Sequence, residues 1–354
     1  MDRRRFVATT AVAAAALPGI APGLPLPHAD DETYWRNLRR EFLMPRDETF
    51  FNTGTLGSSP KAVVDAVVRH LIEVDRTIAH WDYRPDHPDW FAGYRPEPEL
   101  RAKLAGLINA TGDEIALTQN ATVGENYIAH GLPLEPGDEV IMTSQEHPGN
   151  QGGWDLRAKR FGIVVKKVPI PVPPADVTLE QIVQLYADAI TPRTRVLVIP
   201  HITSQFAIRL PVKELSALGR AHNCFTTVDG AQVIGHLKVD VRDLDCDAYY
   251  SSPHKWLLSP KGTGFLYVRK ERLPEVWATL ASATWNNYDV GAYRLMQIGT
   301  GNLSLLKGLD AAIDFHHQTA GGPERVEARI LWLASRLRAG LARIPGAALS
   351  SPKD

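Results

Sequence analysis

The chain is poor in cysteine. Only Cys224 and Cys246 occur in 354 residues, which excludes a disulfide framework as the source of stability. No Cys/His cluster has zinc spacing, so no structural metal is expected. Charge bias is missing as well: 39 Lys and Arg face 40 Asp and Glu, for a net charge of −1. That excludes the basic footprint of a nucleic-acid binder. Beyond the N-terminus there is no apolar run of about 20 residues that could span a bilayer, and no internal repeat. What remains is an ordinary globular composition, 44% hydrophobic and 22% charged. The length suits two domains or one large domain with an appendage.

The first residues stand apart from this pattern. Asp2-Arg3-Arg4-Arg5-Phe6-Val7 is followed by an apolar stretch from Val7 to Leu17 and a Pro/Gly-rich segment to Pro27. The stretch is too short for a stop-transfer helix and resembles a twin-arginine export signal, with cleavage expected after Ala29. Residues 1–29 are therefore expected to be a leader, and the mature protein to be periplasmic or secreted. The alternative is a disordered basic N-terminus.

Periodicity organises the rest. Tyr34, Trp35, Leu38 and Phe42 recur at helical spacing within 31–45, and 50–54 reads as a short strand entering a Gly/Ser turn. Residues 60–76 predict a helix, with Val63, Val64, Val67, Val68 and Leu71 as its apolar side. The segment 80–98, rich in Trp, Tyr, Pro and Asp, reads as a long loop. From there helices alternate with short apolar strands at 114–118, 139–143, 162–169, 195–200, 225–229, 248–251 and 264–268, and a strong helix covers 324–344. This alternation implies a mainly parallel sheet wrapped by helices. Ligands of such sheets sit beyond the carboxyl ends of the strands.

The residues with chemical potential lie there. The apolar run before Val228-Asp229-Gly230-Ala231-Gln232 ends in an aspartate. A lysine follows 26 positions later, in Ser251-Ser252-Pro253-His254-Lys255-Trp256, ahead of Pro260-Lys261-Gly262-Thr263-Gly264. Lysine forms a Schiff base with an aldehyde, and aspartate can keep a pyridine nitrogen protonated. Either residue alone signifies little; together, in this order, they suit pyridoxal 5'-phosphate (PLP). Thr118-Gln119-Asn120-Ala121-Thr122 leads from a strand into a helix, whose free N–H groups suit a phosphate, though an ordinary N-cap reads the same way. Glu146-His147-Pro148-Gly149-Asn150 and His201-Ile202-Thr203-Ser204-Gln205 follow two further strands.

On these motifs the chain resembles the class V aminotransferase-fold PLP enzymes, nearest the isopenicillin N epimerase-like branch, over roughly residues 45–330. The resemblance implies the aspartate aminotransferase-like (type I) PLP-transferase fold, α/β with a seven-stranded sheet. It assigns an arm to 30–60, a large PLP-binding domain to 61–310, and to 311–354 the start of a small C-terminal domain cut off at Asp354. It implies that Lys255 carries the cofactor and acts as base, that Asp229 pairs with the ring nitrogen, and that His147 stacks on the ring. Asn120, Ala121, Thr122, Ser252 and His254 would hold phosphate, Ser204 would sit against the ring, and Gln232 would approach the phenolic oxygen. Thr300, in Gly299-Thr300-Gly301-Asn302, would reach the phosphate of a neighbouring subunit, which implies a homodimer. An amino-acid-type substrate and chemistry at Cα follow: epimerase or aminotransferase, with a β-lyase of the C–S type and a non-catalytic PLP-fold binding protein as alternatives. A desulfurase nucleophile is disfavoured, since both cysteines precede Lys255. The arginine that grips a substrate carboxylate in this family belongs to the small domain, leaving Arg84, Arg95 and Arg294 as substitutes to examine, while Arg209 reads as structural.

Overall fold

The computed structural model describes residues 28–80, 97–174, 176–282 and 285–352. Seven strands form one sheet: β1 (Ile115–Thr118), β2 (Glu139–Thr143), β3 (Val164–Val168), β4 (Thr194–Pro200), β5 (Phe225–Asp229), β6 (Ala248–Ser251) and β7 (Gly264–Val268), in the order β1-β7-β6-β5-β4-β2-β3. β7 runs antiparallel to both β1 and β6, and all other neighbours are parallel. The sheet is therefore mixed, with one reversed strand near an edge. The helices are α1 (Glu32–Leu38), α2 (Lys61–Thr77), α3 (Pro98–Leu107), α4 (Ala121–Gly131), α5 (Pro148–Phe161), α6 (Leu179–Ala189), α7 (Val212–Ala221), α8 (Val241–Leu244), α9 (Tyr293–Met296), α10 (Leu303–Asp314) and α11 (Pro323–Leu341).

The strands are short and apolar because both faces are covered. Val196 and Val198 of β4 join one core with Tyr127 and Ile128 of α4 and Trp154 of α5. Leu197 and Ile199 join the other, with Leu104 of α3, Ile182 of α6, Leu215 of α7 and Leu309 of α10. Successive side chains thus enter opposite layers, as the pleat requires.

Two expectations are corrected. Residues 50–54 form no strand; they are irregular and turn at 53–55. The apolar side of α2 is only partly covered: Val63 is buried, but Val68, Leu71 and Ile72 each stay nearly half exposed. Most of the expected loop at 80–98, with Arg84 and Arg95, lies outside the described residues, as does the leader through residue 27. Among the described residues no helix is long and apolar enough to cross a membrane.

Candidate active site

Five strands end on one side of the sheet, and the segments after them converge on a cavity of about 580 Å³. β1 delivers Asn120, Ala121 and Thr122, β2 delivers Glu146 and His147, and β4 delivers Thr203 and Ser204. β5 contributes Asp229 and Gln232, and β6 contributes Ser252, His254 and Lys255; all of these line the cavity. Of the site residues expected from sequence, Thr300 alone is absent from this wall; it is exposed elsewhere on the chain.

The N-terminus of α4 forms one end of the cavity. Asn120 is its N-cap: the side chain accepts from Val123 N at 3.0 Å, so it caps its own helix. Ser252 Oγ accepts from Ala121 N at 2.9 Å. The serine bridges β6 to α4 and keeps its hydroxyl hydrogen for an anion. This hydroxyl and Thr122, at the N-terminus of α4, make an anion cradle with a favourable helix dipole.

Asp229 is buried, and its Oδ1 accepts from Ala231 N at 2.8 Å. Burial raises its pKa, opposed by that hydrogen bond, by the positive charge of Lys255 and by nearby His147. Burial likewise lowers the pKa of Lys255, which the Asp229 charge partly offsets. A lysine so shifted is closer to the neutral amine that attacks carbonyls and removes protons. Lys255 is placed by a close approach: Gly57 N donates to His254 O at 2.9 Å, and a Cβ on Gly57 would lie 2.0 Å from Lys255 O. The neighbouring Lys261 is occupied, its Nζ donating to Gly57 O.

His147 caps α5, its Nδ1 accepting from Gly149 N at 3.0 Å. Since Nδ1 accepts, Nε2 carries the ring hydrogen of the neutral form. Ser204 is exposed at the rim, while Thr203 is buried and accepts from Ile208 N. His201 is structural: it is buried, contacts Tyr249 OH at 3.2 Å, and burial pushes its pKa down to about 3.

Arg294 does not serve as the substrate clamp. It is fully buried, off the cavity wall, and donates to the carbonyls of Leu273 (2.7 Å) and Val276 (2.5 Å). Both cysteines are buried, and burial pushes their thiols up to about 11 for Cys224 and about 12 for Cys246, so neither is a nucleophile.

Several wall residues have no role in the sequence reading. Phe51, Asn52, Gly54 and Thr55 close the cavity from the N-terminal arm, and His236 and Trp256 complete it. Glu146 was visible only as part of the His147 motif, and Glu125, within α4, carried no signal of its own. Both carboxyls are buried near Asp229; desolvation first, then repulsion by Asp229 and, for Glu125, by Glu146, raises their pKa, that of Glu146 to about 8.

The comparisons agree with this geometry. The model of the aminotransferase class-V family matches residues 95–354. Isopenicillin N epimerase of Streptomyces clavuligerus is 30% identical over 336 residues, covering 90% of this chain and 81% of the relative. A probable cysteine desulfurase of Methanothermobacter thermautotrophicus is 28% identical, covering 88% and 76%. Among solved structures, a mutant of C-DES with glycine covalently linked to the PLP cofactor superposes with a TM-score of 0.75 at 26% identity, covering 87% of this chain and 80% of that one. The cystine C-S lyase C-DES with its product cysteine persulfide gives 0.72 at 27% identity, covering 86% and 83%.

The residues present fit PLP. An anion cradle lies at one end, a lysine of lowered pKa lines the wall, and a buried aspartate has an oxygen left for a protonated ring nitrogen. On sequence, fold and site together, the chain belongs to the class V aminotransferase family of PLP-dependent enzymes.

Proposed function

We propose that the protein moves the α-proton of an amino-acid substrate in the manner of an epimerase, with Lys255 as base and His147 as the second proton-handling group. PLP, when bound, supplies the electron-withdrawing ring that acidifies the Cα–H bond. One observation carries the reading. Lys255 follows β6, on one side of β5 and Asp229, while His147 follows β2, two strands away on the other side, and both reach one cavity. Two proton carriers approaching a substrate from opposite sides are what inversion at carbon needs. Asp229 holds the charge that keeps the ring nitrogen protonated. Ser252 and Thr122, at the N-terminus of α4, anchor the phosphate, and His254 lines the wall beside Lys255.

A second reading is supported by the likeness to the cystine C-S lyase and by the burial of both cysteines. It is β-elimination without a protein thiol nucleophile. Incubating the PLP-loaded protein in D₂O with single enantiomers decides between them. Deuterium at Cα with inversion supports the epimerase reading. Release of pyruvate from cystine supports the lyase, and neither outcome leaves a PLP-binding protein without turnover.

A homodimer belongs to the same proposal. It is supported by the half-exposed Val68, Leu71 and Ile72 on α2, by Phe51, 90% exposed at the cavity, and by the exposure of Thr300 outside its own cavity. Light scattering that finds a PLP-loaded monomer refutes it. Export through the twin-arginine route is proposed from Arg3 and Arg4; a double Lys substitution should retain folded protein in the cytoplasm.

A further inference from the structure

Gln232 bonds two groups of opposite kind. Its Nε2 donates to Gly54 O at 2.9 Å, and its Oε1 accepts from Trp256 Nε1 at 2.8 Å. A carbonyl only accepts and an indole N–H only donates. Turning the amide over would set acceptor against acceptor and donor against donor. The partners therefore dictate its orientation.

Trp256 is held in turn. Its ring stacks on His236 with centroids 4.2 Å apart and planes 24° apart. His236 Nδ1 lies 2.9 Å from Gln232 O, and since a carbonyl only accepts, that nitrogen carries the hydrogen. The contacts close a circuit from the Gln232 backbone through His236 and Trp256 to the Gln232 side chain. Gly54 fits tightly against it: a Cβ there would lie 3.1 Å from Gln232 Oε1. All four residues line the cavity.

We infer that Trp256 is a positioning residue that locks the Gln232 amide, so that Nε2 keeps one uncommitted N–H for an acceptor in the cavity. The acceptor of matching chemistry is the anionic ring oxygen of the cofactor, and the inference rests on the PLP reading of the site. A donor to an anion gives a strong, charge-assisted bond. A freely turning amide would present its oxygen part of the time and repel the same anion. The residue directly after the proposed cofactor lysine thus decides whether the ring oxygen meets a donor.

A donor on that oxygen favours its deprotonated form and lowers the pH midpoint of the bound cofactor's visible absorption. The test titrates this band in PLP-loaded wild type, Trp256→Phe, Gln232→Ala and the double variant. Phenylalanine keeps an aromatic ring against His236 but loses the indole N–H together with part of the stacked area. Both single variants should raise the midpoint, Trp256→Phe by roughly half a pH unit or more, the value of about one net hydrogen bond. The double variant should go no further than Gln232→Ala. A midpoint unmoved by Trp256→Phe while Gln232→Ala moves it overturns the inference, as does a midpoint that neither variant moves. The PLP reading fails separately, if wild type mixed with PLP and dialysed shows no visible cofactor band. A second measurement needs no variant: in the cofactor-free wild type the Trp256 indole N–H should exchange slowly with D₂O by NMR. Exchange at the rate of a free indole would also overturn the inference.

Discussion

Glu146 should make the cofactor-free protein lose stability as pH rises from mild acid to mild alkali. Its carboxyl is 3% exposed, and its one hydrogen bond from the backbone is His147 N to Oε1 at 2.9 Å. Its Oε2 is buried without a partner. Desolvation first, then repulsion by Asp229, raises its pKa from 4.5 to about 8, with Asn150 and His147 N partly opposing. The folded state therefore holds a proton that the unfolded chain releases above about 4.5. The stabilisation is complete below about 4.5 and is lost as pH climbs toward 8. The slope is at most about 1.4 kcal/mol per pH unit, and the sum on the order of a few kcal/mol. Glu146→Gln keeps an oxygen for His147 N and has no proton to lose. Urea midpoints at pH 5, 6, 7 and 8 should diverge, the variant gaining on wild type with each step. Asp229 and Glu125 titrate beside it, so the difference reports Glu146 together with its coupling to them. Parallel curves for the two proteins would refute the buried neutral carboxyl.

Borohydride reduction of the PLP-loaded protein should place the pyridoxyl group on Lys255, and peptide mapping that finds it on Lys261 would reject the assignment. Gly57→Ala should push the Lys255 backbone aside, because the added carbon would lie 2.0 Å from Lys255 O and 2.7 Å from Leu258 Cδ2. Displacement of about 1 Å costs on the order of a hundredfold in turnover, and wild-type turnover with unchanged circular dichroism would contradict the contact. Arg294→Met should lower the urea midpoint, since two buried carbonyls lose their donor at about 1–3 kcal/mol each. PLP affinity should be unchanged. A raised KM for an amino acid at full stability would restore Arg294 as a clamp.

The strands at 139–143, 225–229, 248–251 and 264–268 were legible residue for residue, because each is a short apolar run stopped by turn-forming residues. The same logic located Asp229, His147 and Lys255, since a strand end followed by a polar loop is a local pattern. Boundaries drifted where local signals conflict. The segment 50–54 has aromatic residues suited to a strand, yet in the fold it packs against Gln232 and Trp256, in the segments after β5 and β6, and became a wall of the cavity.

Sequence alone pointed to the strands of the sheet, to the polar loops that follow them, and to Lys255 and Asp229 as a pair that suits PLP, because these follow from patterns within a few residues. Only the tertiary structure decided the rest. It reversed β7 between β1 and β6, sent Arg294 to two backbone carbonyls, gathered Glu125, Glu146 and Asp229 in one buried region, and set Trp256 and Gly54 on either side of Gln232. Each of these depends on which distant atoms become neighbours, and on the free energy of placing charge or an unpaired polar atom away from water, which no local pattern carries.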